Sequence, residues 1–172
     1  RSADNEHLGR AMAVKDHDEV FTLAEKAMKM ANSDFMSVTD AQGIVLSRGH
    51  AKGKYGDSIA NQETVAKALR GEPAQAVVTG PLNPFTLRAS QPVFYEGRLV
   101  GTISIGVSLT TPDYLDWLSQ LAGAAVTIFK GDARVMTTIL LDNKRAVGTK
   151  LEAPNVTDAV LERGETVFVH DN

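Results

Sequence analysis

Residues 34–48 read Asp-Phe-Met-Ser-Val-Thr-Asp-Ala-Gln-Gly-Ile-Val-Leu-Ser-Arg, and Gly-Asp-Ser-Ile at 56–59 and Arg-Gly-Glu at 70–72 follow them. The same order returns as Val-Thr-Ile-Phe-Lys-Gly-Asp-Ala-Arg-Val-Met-Thr-Thr at 126–138, then Gly-Thr-Lys-Leu at 148–151 and a second Arg-Gly-Glu, at an offset of 91 to 93 residues. Each copy predicts a strand, a turn, a strand, a loop that begins with glycine and a short helix. A two-fold repeat of this length predicts two tandem domains of one fold.

The composition of the chain excludes several classes of protein. The 172 residues carry a net charge of −3 with scattered Lys and Arg, so there is no electrostatic case for a nucleic-acid partner. The chain has no cysteine, which rules out disulfides, thiolate metal sites and cysteine nucleophiles. The chain contains no run of 18 apolar residues, so the sequence predicts no membrane span. Because the chain begins inside a pattern, at Arg-Ser-Ala-Asp, we expect it to be part of a longer protein.

Periodicity and turn residues predict the order of helices and strands. Residues 5–31 carry apolar side chains at helical spacing, with a weak point at Asp16-His-Asp that could divide them into two helices. The other elements of the first copy are a hairpin of 35–39 with 44–48, a helix at 62–70, and strands at 75–80, 85–95 and 98–109. The predicted class is therefore α+β, with one antiparallel five-stranded sheet and the helices packed on one side.

The repeat divides the chain into four segments. They are an N-terminal helical segment at 1–33, a first domain at 34–110, a connecting helix at 111–123 and a partial second domain at 124–172. Thr111 is suited to cap the connecting helix, because Pro112 follows it at the first helical position. After Glu165 there is room for one strand of five residues instead of three strands. We therefore expect the second sheet to be truncated or to be completed by another chain.

The first copy resembles the extracytoplasmic Cache sensor domains, which have a PAS-like fold. The stretches that carry the resemblance are Asp34–Ser47, Gly56-Asp-Ser58, Leu87-Arg-Ala-Ser-Gln-Pro-Val93 and Gly97–Gly106. The last two look like stretches of bacterial citrate and C4-dicarboxylate sensor kinases. The second copy looks like the second module of the double Cache domains of methyl-accepting chemotaxis proteins and sensor kinases. The stretches that carry this likeness are Ala125–Val135 and Arg145-Ala-Val-Gly-Thr-Lys150.

The resemblance implies a periplasmic ligand sensor without a cofactor. The whole protein would carry flanking membrane helices, which are absent from this stretch, and a cytoplasmic signalling domain. The long N-terminal helix would form a parallel homodimer interface, although its apolar stripe is also what packing against the sheet requires.

Two adjacent predicted strands each carry a polar stripe. Successive strand residues point to opposite faces, so one face collects Thr86, Arg88 and Ser90 from one strand and Thr102, Ser104 and Ser108 from the next. The planar fork of arginine donates two parallel hydrogen bonds, a geometry that matches a carboxylate. From the residues alone, the stripe could equally be a solvated outer face with one surface arginine.

The resemblance implies that Arg88 contacts a ligand carboxylate, as the equivalent arginine does in citrate sensors. Ser90, Thr86, Thr79 and Ser104 would then add hydrogen bonds, with Thr79 in a turn-rich connection at the mouth of the pocket. The expected ligand is therefore a small carboxylate.

Departures from the citrate sensors at three positions narrow that expectation. Those sensors carry an arginine where this chain has Val45, a histidine where it has Arg48 and a lysine where it has Ser90. The thinner cationic cluster favours an acid with one or two carboxylates. Arg48 and His50 could supply auxiliary charge, or could be loop residues that face water. The basic loop at 50–55 could fold over a ligand, or could be solvated.

Enzyme classes find little support in the sequence. No glycine-rich stretch matches a phosphate-binding loop, and the four histidines lie far apart along the chain. His17 lies between two acids, but adjacent helical residues point in different directions, which favours a solvated kink over a metal site. The alternative to a ligand sensor is a ligand-free dimerisation or protein-docking module of a sensor kinase. A cytoplasmic PAS domain that holds haem or flavin fits less well.

Overall fold

The computed structural model describes residues 2–80 and 84–168. The chain divides into two compact units. The first comprises Arg1–Gly80 with Phe85–Ser108, and the second comprises Pro81–Pro84 with Leu109–Asn172. The finer division into four segments stays a prediction.

The N-terminal segment forms two helices, α1 (Ser2–Ala13) and α2 (His17–Met30). Lys15 has a positive φ of 54°, which no residue inside a helix adopts. Asp16 caps α2, because its Oδ1 accepts a hydrogen bond of 3.0 Å from the backbone N–H of Glu19. The break predicted at Asp16-His-Asp is confirmed, and its cause is this cap.

The first unit contains a five-stranded antiparallel sheet in the order β2-β1-β5-β4-β3. The strands are β1 (Phe35–Asp40), β2 (Val45–Arg48), β3 (Ala74–Val78), β4 (Thr86–Tyr95) and β5 (Arg98–Ser108). The short helix α3 (Glu63–Ala68) lies in the chain between β2 and β3. The predicted α+β class, with one five-stranded antiparallel sheet, is confirmed.

The two faces of the sheet have different partners. Met36 and Val38 point from β1 into an apolar core with α1 and α2. The alternate residues of β1 and its neighbours form the opposite, polar face, where Thr64 of α3 bonds to Ser90 of β4. The helices were predicted on one side of the sheet, whereas α3 lies on the face opposite α1 and α2. The polar stripe of β4 and β5 is consequently covered by α3.

The second unit begins with α4 (Pro112–Ala122), which is capped as predicted, since the Thr111 hydroxyl accepts from the N–H of Tyr114 at 3.3 Å. Its other elements are β6 (Thr127–Lys130), β7 (Ala133–Thr137), β8 (Leu140–Leu141), β9 (Lys144–Arg145) and α5 (Pro154–Thr157), which continues into a π-helical turn at Asp158–Glu162. The predicted final strand is not formed over Thr166–Phe168, and its last residues, 169 and 170, lie outside the described residues. No helix in the described part of the chain is long and apolar enough to cross a membrane.

The internal repeat is visible in the backbone hydrogen bonds. Val45 donates to Asp57 and accepts from Gly56, and Arg134 donates to Thr149 and accepts from Gly148 in the same pattern. Both hairpins also have a register shift at the same place, next to Thr39 in β1 and Phe129 in β6. Val45 and Arg134 are therefore equivalent. The predicted offset holds for the glycine-led loops, with 92 residues from Gly56 to Gly148. It is too large for the hairpins, where the offset is 90 residues from Thr39 to Phe129 and 89 from Val45 to Arg134, since the turn of the second hairpin is one residue shorter.

Candidate ligand site

Arg88 lies in the middle of the polar face, in a row that crosses the sheet. It pairs with Gly106 of β5, which in turn pairs with Phe35 of β1. A Cβ atom at position 106 would collide with the Phe35 ring, so only glycine lets that ring lie flat on β5. The Arg88 guanidinium carbon is 5.2 Å from the centroid of the ring, within the range of a cation–π contact.

The Arg88 guanidinium has hydrogen-bonding capacity that the protein leaves unused. Its Nη1 donates to Oε1 of Gln62 at 2.6 Å, but its Nε is buried and has no acceptor among the described residues. Among the described residues, no Asp or Glu forms an ion pair with it. Burial lowers the pKa of Arg88, yet arginine stays charged at neutral pH. The site thus holds a half-buried cation to which the described part of the chain supplies no anionic partner.

Hydroxyl groups form a buried layer beside Arg88. Ser90 Oγ, which is fully buried, donates to Thr64 Oγ1 at 2.9 Å and lies 2.7 Å from Ser104 Oγ. Thr86 is also buried and pairs across β4 and β5 with Ser108. The structure therefore brings Thr86, Ser90 and Ser104 together with Arg88, in a covered layer rather than on a solvated outer face.

Arg48 is held by its own loop. Its Nη1 and Nη2 donate to the two carboxylate oxygens of Asp57 at 2.8 and 2.7 Å, and Nη1 also donates to the carbonyl of Lys54 at 3.1 Å. The hydrogen bonds to Asp57 raise the pKa of Arg48, and those from Arg48 lower the pKa of Asp57. Its expected role as an auxiliary ligand cation stays a prediction, and that role would require this pair to open.

His50 borders the site through Phe35. Its Nδ1 faces the backbone N and O of Met36 at 3.3 and 3.2 Å, and its ring meets the Phe35 ring edge-on with centroids 6.1 Å apart. Burial lowers the pKa of His50, so the imidazole is neutral at pH 7. His50 therefore shapes the wall of the site without adding charge to it.

The remainder of the basic loop packs on α2 instead of covering the polar face. The Tyr55 ring stacks on the His17 ring with centroids 4.1 Å apart, and Lys52 Nζ lies 5.5 Å from the centre of the Phe21 ring. His17, which lies between two acids in the sequence, directs its Nδ1 at the carbonyl oxygen of Leu46, 2.7 Å away. In this arrangement the loop is not a cover for Arg88.

Thr79 forms no hydrogen bond with the other predicted ligand-binding residues in the part of the chain that the structure describes. It is exposed, one residue past the end of β3. Residues 81–83 of the turn-rich connection lie outside the described residues.

Sequence reasoning missed four residues that shape the site. Gln62 and Thr64 come from the start of α3, and Phe35 and Gly106 complete the row of Arg88. The register of Phe35 against Gly106 could have been proposed from strand alternation, whereas no pattern in the sequence places α3 on the polar face.

The second unit contains a guanidinium in a related state. Arg134 Nε is buried and has no hydrogen-bond partner among the described residues, and the same is true of Arg88 Nε. Arg134 Nη1 donates to Thr149 Oγ1 and to the Lys150 carbonyl, at 2.9 and 2.6 Å. Arg134 consequently ties the glycine-led loop of the second copy to β7, a structural task.

The family of the chain follows from sequence models that match both parts of it. A family model described as single Cache domain 3 matches residues 5–115, and a second model with the same description matches residues 108–172. The first match alone spans more than half of the chain, so the chain belongs to this Cache sensor-domain family. The two matches follow one another, as the internal repeat predicts. No curated protein matches the chain.

Solved structures with a similar fold are sensor domains. The sensor domain of the Vibrio cholerae histidine kinase DctB has a TM-score of 0.58 at 13% identity, over 78% of this chain, and the chain spans only 54% of that domain. The ligand-binding domain of the Campylobacter jejuni chemoreceptor Tlp3, solved with L-valine, has a TM-score of 0.53 at 12% identity, over 93% of this chain and 71% of that one. The Escherichia coli DcuS sensor domain is 27% identical over 60% of this chain and 72% of its own, with a TM-score of 0.47. At identities of 12–13%, the likenesses to DctB and Tlp3 bear on the fold alone.

Proposed function

We propose that this chain is the extracytoplasmic ligand-sensing part of a transmembrane chemoreceptor or sensor kinase, and that its first unit binds a small carboxylate through Arg88. The observation that carries the proposal is the state of Arg88, a half-buried cation with an unbonded Nε and no anionic partner among the described residues. Burying an uncompensated charge is costly, and a bound carboxylate would relieve that cost with two charge-assisted hydrogen bonds.

The charges around Arg88 favour one clamped carboxylate. Arg48 already forms a bidentate pair with Asp57, and His50 is neutral at pH 7, so neither offers a second free cation next to Arg88. The hydroxyls of Ser90, Ser104 and Thr64 suit the uncharged polar part of a ligand. An acid with one or two carboxylates therefore fits better than a tricarboxylate.

The strands that hold the site connect it to the rest of the receptor. Arg88 and Ser90 lie on β4, and its neighbour β5 ends at Ser108, where the first unit ends. A shift of β5 on ligand binding would reach the chain that follows. Such a signal requires the ligand to have different affinities for two conformations of the domain.

The test is a thermal-shift screen of the protein against mono-, di- and tricarboxylates and amino acids. A ligand at about 100 times its Kd stabilises the native state by about 2.7 kcal/mol, which gives a clear rise in Tm. Arg88→Ala should abolish the shift, because it removes the fork, while Arg98→Ala, at an exposed position of β5, should retain it. A carboxylate that stabilises Arg88→Ala as strongly as the parent protein contradicts the proposed site.

A second candidate function, a ligand-free dimerisation or docking module, is favoured by one feature. α1, α2 and β5 border an apolar groove whose wall includes Leu8, Leu23, Ala27, Met30 and Ile103. Met30 is 78% exposed, an unusual state for a large apolar side chain beside such a groove. A flat carboxylate screen together with a stable dimer would favour this function.

A further inference from the structure

Arg48 lies on the same face of the sheet as Arg88. Residues that pair across neighbouring strands project to one side of a sheet. Arg48 pairs with Ser37 of β1, which pairs with Ser104 of β5. Ser104 in turn pairs with Ser90 of β4, two residues along that strand from Arg88. The polar face therefore carries one guanidinium on β2 and another on β4, with a row of hydroxyl groups between the two strands.

The two guanidinium groups differ in their charge balance. The side chain of Arg48 is only 20% exposed, and its charge is opposed by Asp57, whose two oxygens accept from it at 2.8 and 2.7 Å. The hydrogen bonds from Arg48 lower the pKa of Asp57, so this carboxylate is ionised at pH 7. The described residues supply no such anion to Arg88. A ligand anion that approaches Arg48 meets the opposing charge of Asp57, which cancels most of the attraction.

We infer that Asp57 determines the ligand class of the site: because it neutralises Arg48, the site selects monocarboxylates over dicarboxylates of the same length. The inference rests on the proposed function of Arg88. A monocarboxylate needs one clamp, and its uncharged end can lie along the row of hydroxyl groups. The second carboxylate of a diacid would lose water in the site and meet an ion pair without net charge, so its desolvation would not be compensated. Asp57 is thus a specificity-determining residue that need not touch the ligand.

The inference predicts that loss of one negative charge widens the ligand class. Asp57→Asn removes the charge but keeps a side-chain oxygen that can accept from Arg48. Arg48 would then have no counter-ion and could pair with the second carboxylate of a diacid through charge-assisted hydrogen bonds. Butyrate and succinate are suitable probes, because they have the same carbon chain and differ in the group at one end. Asp57→Asn should raise the affinity for succinate relative to butyrate about 10-fold or more, the effect of a hydrogen bond between charged groups.

The experiment is calorimetric titration of the 172-residue protein with butyrate and with succinate. The parent should bind butyrate about 10-fold more tightly than succinate, and Arg88→Ala should lose both. Asp57→Asn should gain succinate affinity, and the double variant Arg48→Ala/Asp57→Asn should lose that gain. Glu25→Gln removes the same charge from a surface pair with Lys29 on α2, on the other side of the sheet, and should behave as the parent does.

The outcomes separate the inference from the proposed function. Binding that depends on Arg88 but shows no preference for butyrate in the parent overturns the inference and leaves the proposed function intact. The same holds if the ratio of the two affinities is equal in the parent and in Asp57→Asn. A succinate gain that persists without Arg48 also overturns the inference, because Asp57 would then act by repulsion alone. Failure of the parent to bind either acid, or binding that survives Arg88→Ala, contradicts the proposed function and the inference together.

Discussion

At the scale of single residues, the site depends on side chains that would each be unfavourable alone. The Arg88 guanidinium is half-buried and has no anionic partner in residues 2–80 and 84–168, and Phe35 lies flat on the backbone of β5 because position 106 has no Cβ. Each makes the other possible, since the face of the ring attracts the cation. The site is therefore sensitive to changes of a single methyl group.

Gly106→Ala tests that sensitivity. The added Cβ would collide with the Phe35 ring. The ring would have to leave its position over β5 and would then lie farther from Arg88. We expect a loss of stability of about 1–3 kcal/mol, typical of overpacking, and at least a 10-fold loss of carboxylate affinity. Urea unfolding and calorimetric titration measure the two effects.

A double-mutant cycle identifies the cause. In a Phe35→Leu background the ring is absent, and Gly106→Ala should then cost clearly less stability than it does in the parent. Equal costs in the two backgrounds would mean that the ring is not what position 106 accommodates.

At the scale of elements, one buried carboxylate joins the helical segment to the first hairpin. Asp40, at the end of β1, accepts from the backbone N–H of Gln42 and of Ile44 at 3.0 Å each, and from Lys15 Nζ at 2.7 Å. Lys15 lies in the short connection between α1 and α2. Asp40 therefore fixes the hairpin turn and attaches it to the connection between the two helices.

Asp40→Asn should destabilise the first unit in a pH-dependent way. Burial opposes ionisation of Asp40, but the hydrogen bonds from Lys15, Ile44 and Gln42 outweigh it and lower the pKa below the ordinary value of 3.8. A lowered folded-state pKa contributes stability that is present above the unfolded pKa and lost as pH falls through the folded one. We expect a loss of about 1–3 kcal/mol at pH 7 in urea unfolding.

The same measurement at low pH serves as the control. Below the folded pKa of Asp40 the carboxyl is protonated in both states of the parent, so the difference between the parent and Asp40→Asn should shrink as pH falls from 5 toward 2. A difference that stays constant over that range would mean that the charge of Asp40 contributes nothing.

At the scale of the whole molecule, the two units have unequal cores. The buried hydrophobic clusters lie in the first unit, and many of the exposed large apolar side chains, including Leu121, Leu140 and Phe168, belong to the second. The first unit also borders the apolar groove beside Met30, on the face of the sheet opposite Arg88. The ligand site and the groove therefore occupy different faces, and self-association through α1 and α2 is compatible with ligand binding.

Met30→Glu tests the proposal that the chain forms a homodimer through this groove. A carboxylate in place of an exposed apolar anchor should weaken association at least 10-fold by light scattering coupled to size exclusion, with carboxylate binding retained. Val77→Glu, which places the same charge at an exposed position of the edge strand β3, should leave the association state unchanged. A parent protein that is monomeric at all concentrations, or a Met30→Glu variant that associates equally, contradicts the interface.

Local pattern determined much of this protein from its sequence. Alternation along β4 and β5 placed Arg88, Ser90 and Ser104 on one face. Asp16 indicated the break between α1 and α2, and the repeated hairpin pattern predicted a second copy of the fold. These features depend on neighbours a few residues apart, so they can be read along the chain. Only the tertiary structure decided that α3 covers the polar face, that Gln62 bonds to Arg88 and that Asp57 neutralises Arg48. The contacts of α3 join segments that are distant in the sequence, and the pair of Arg48 with Asp57 depends on how the loop after β2 folds back on that strand, so local conformational preference does not select these partners.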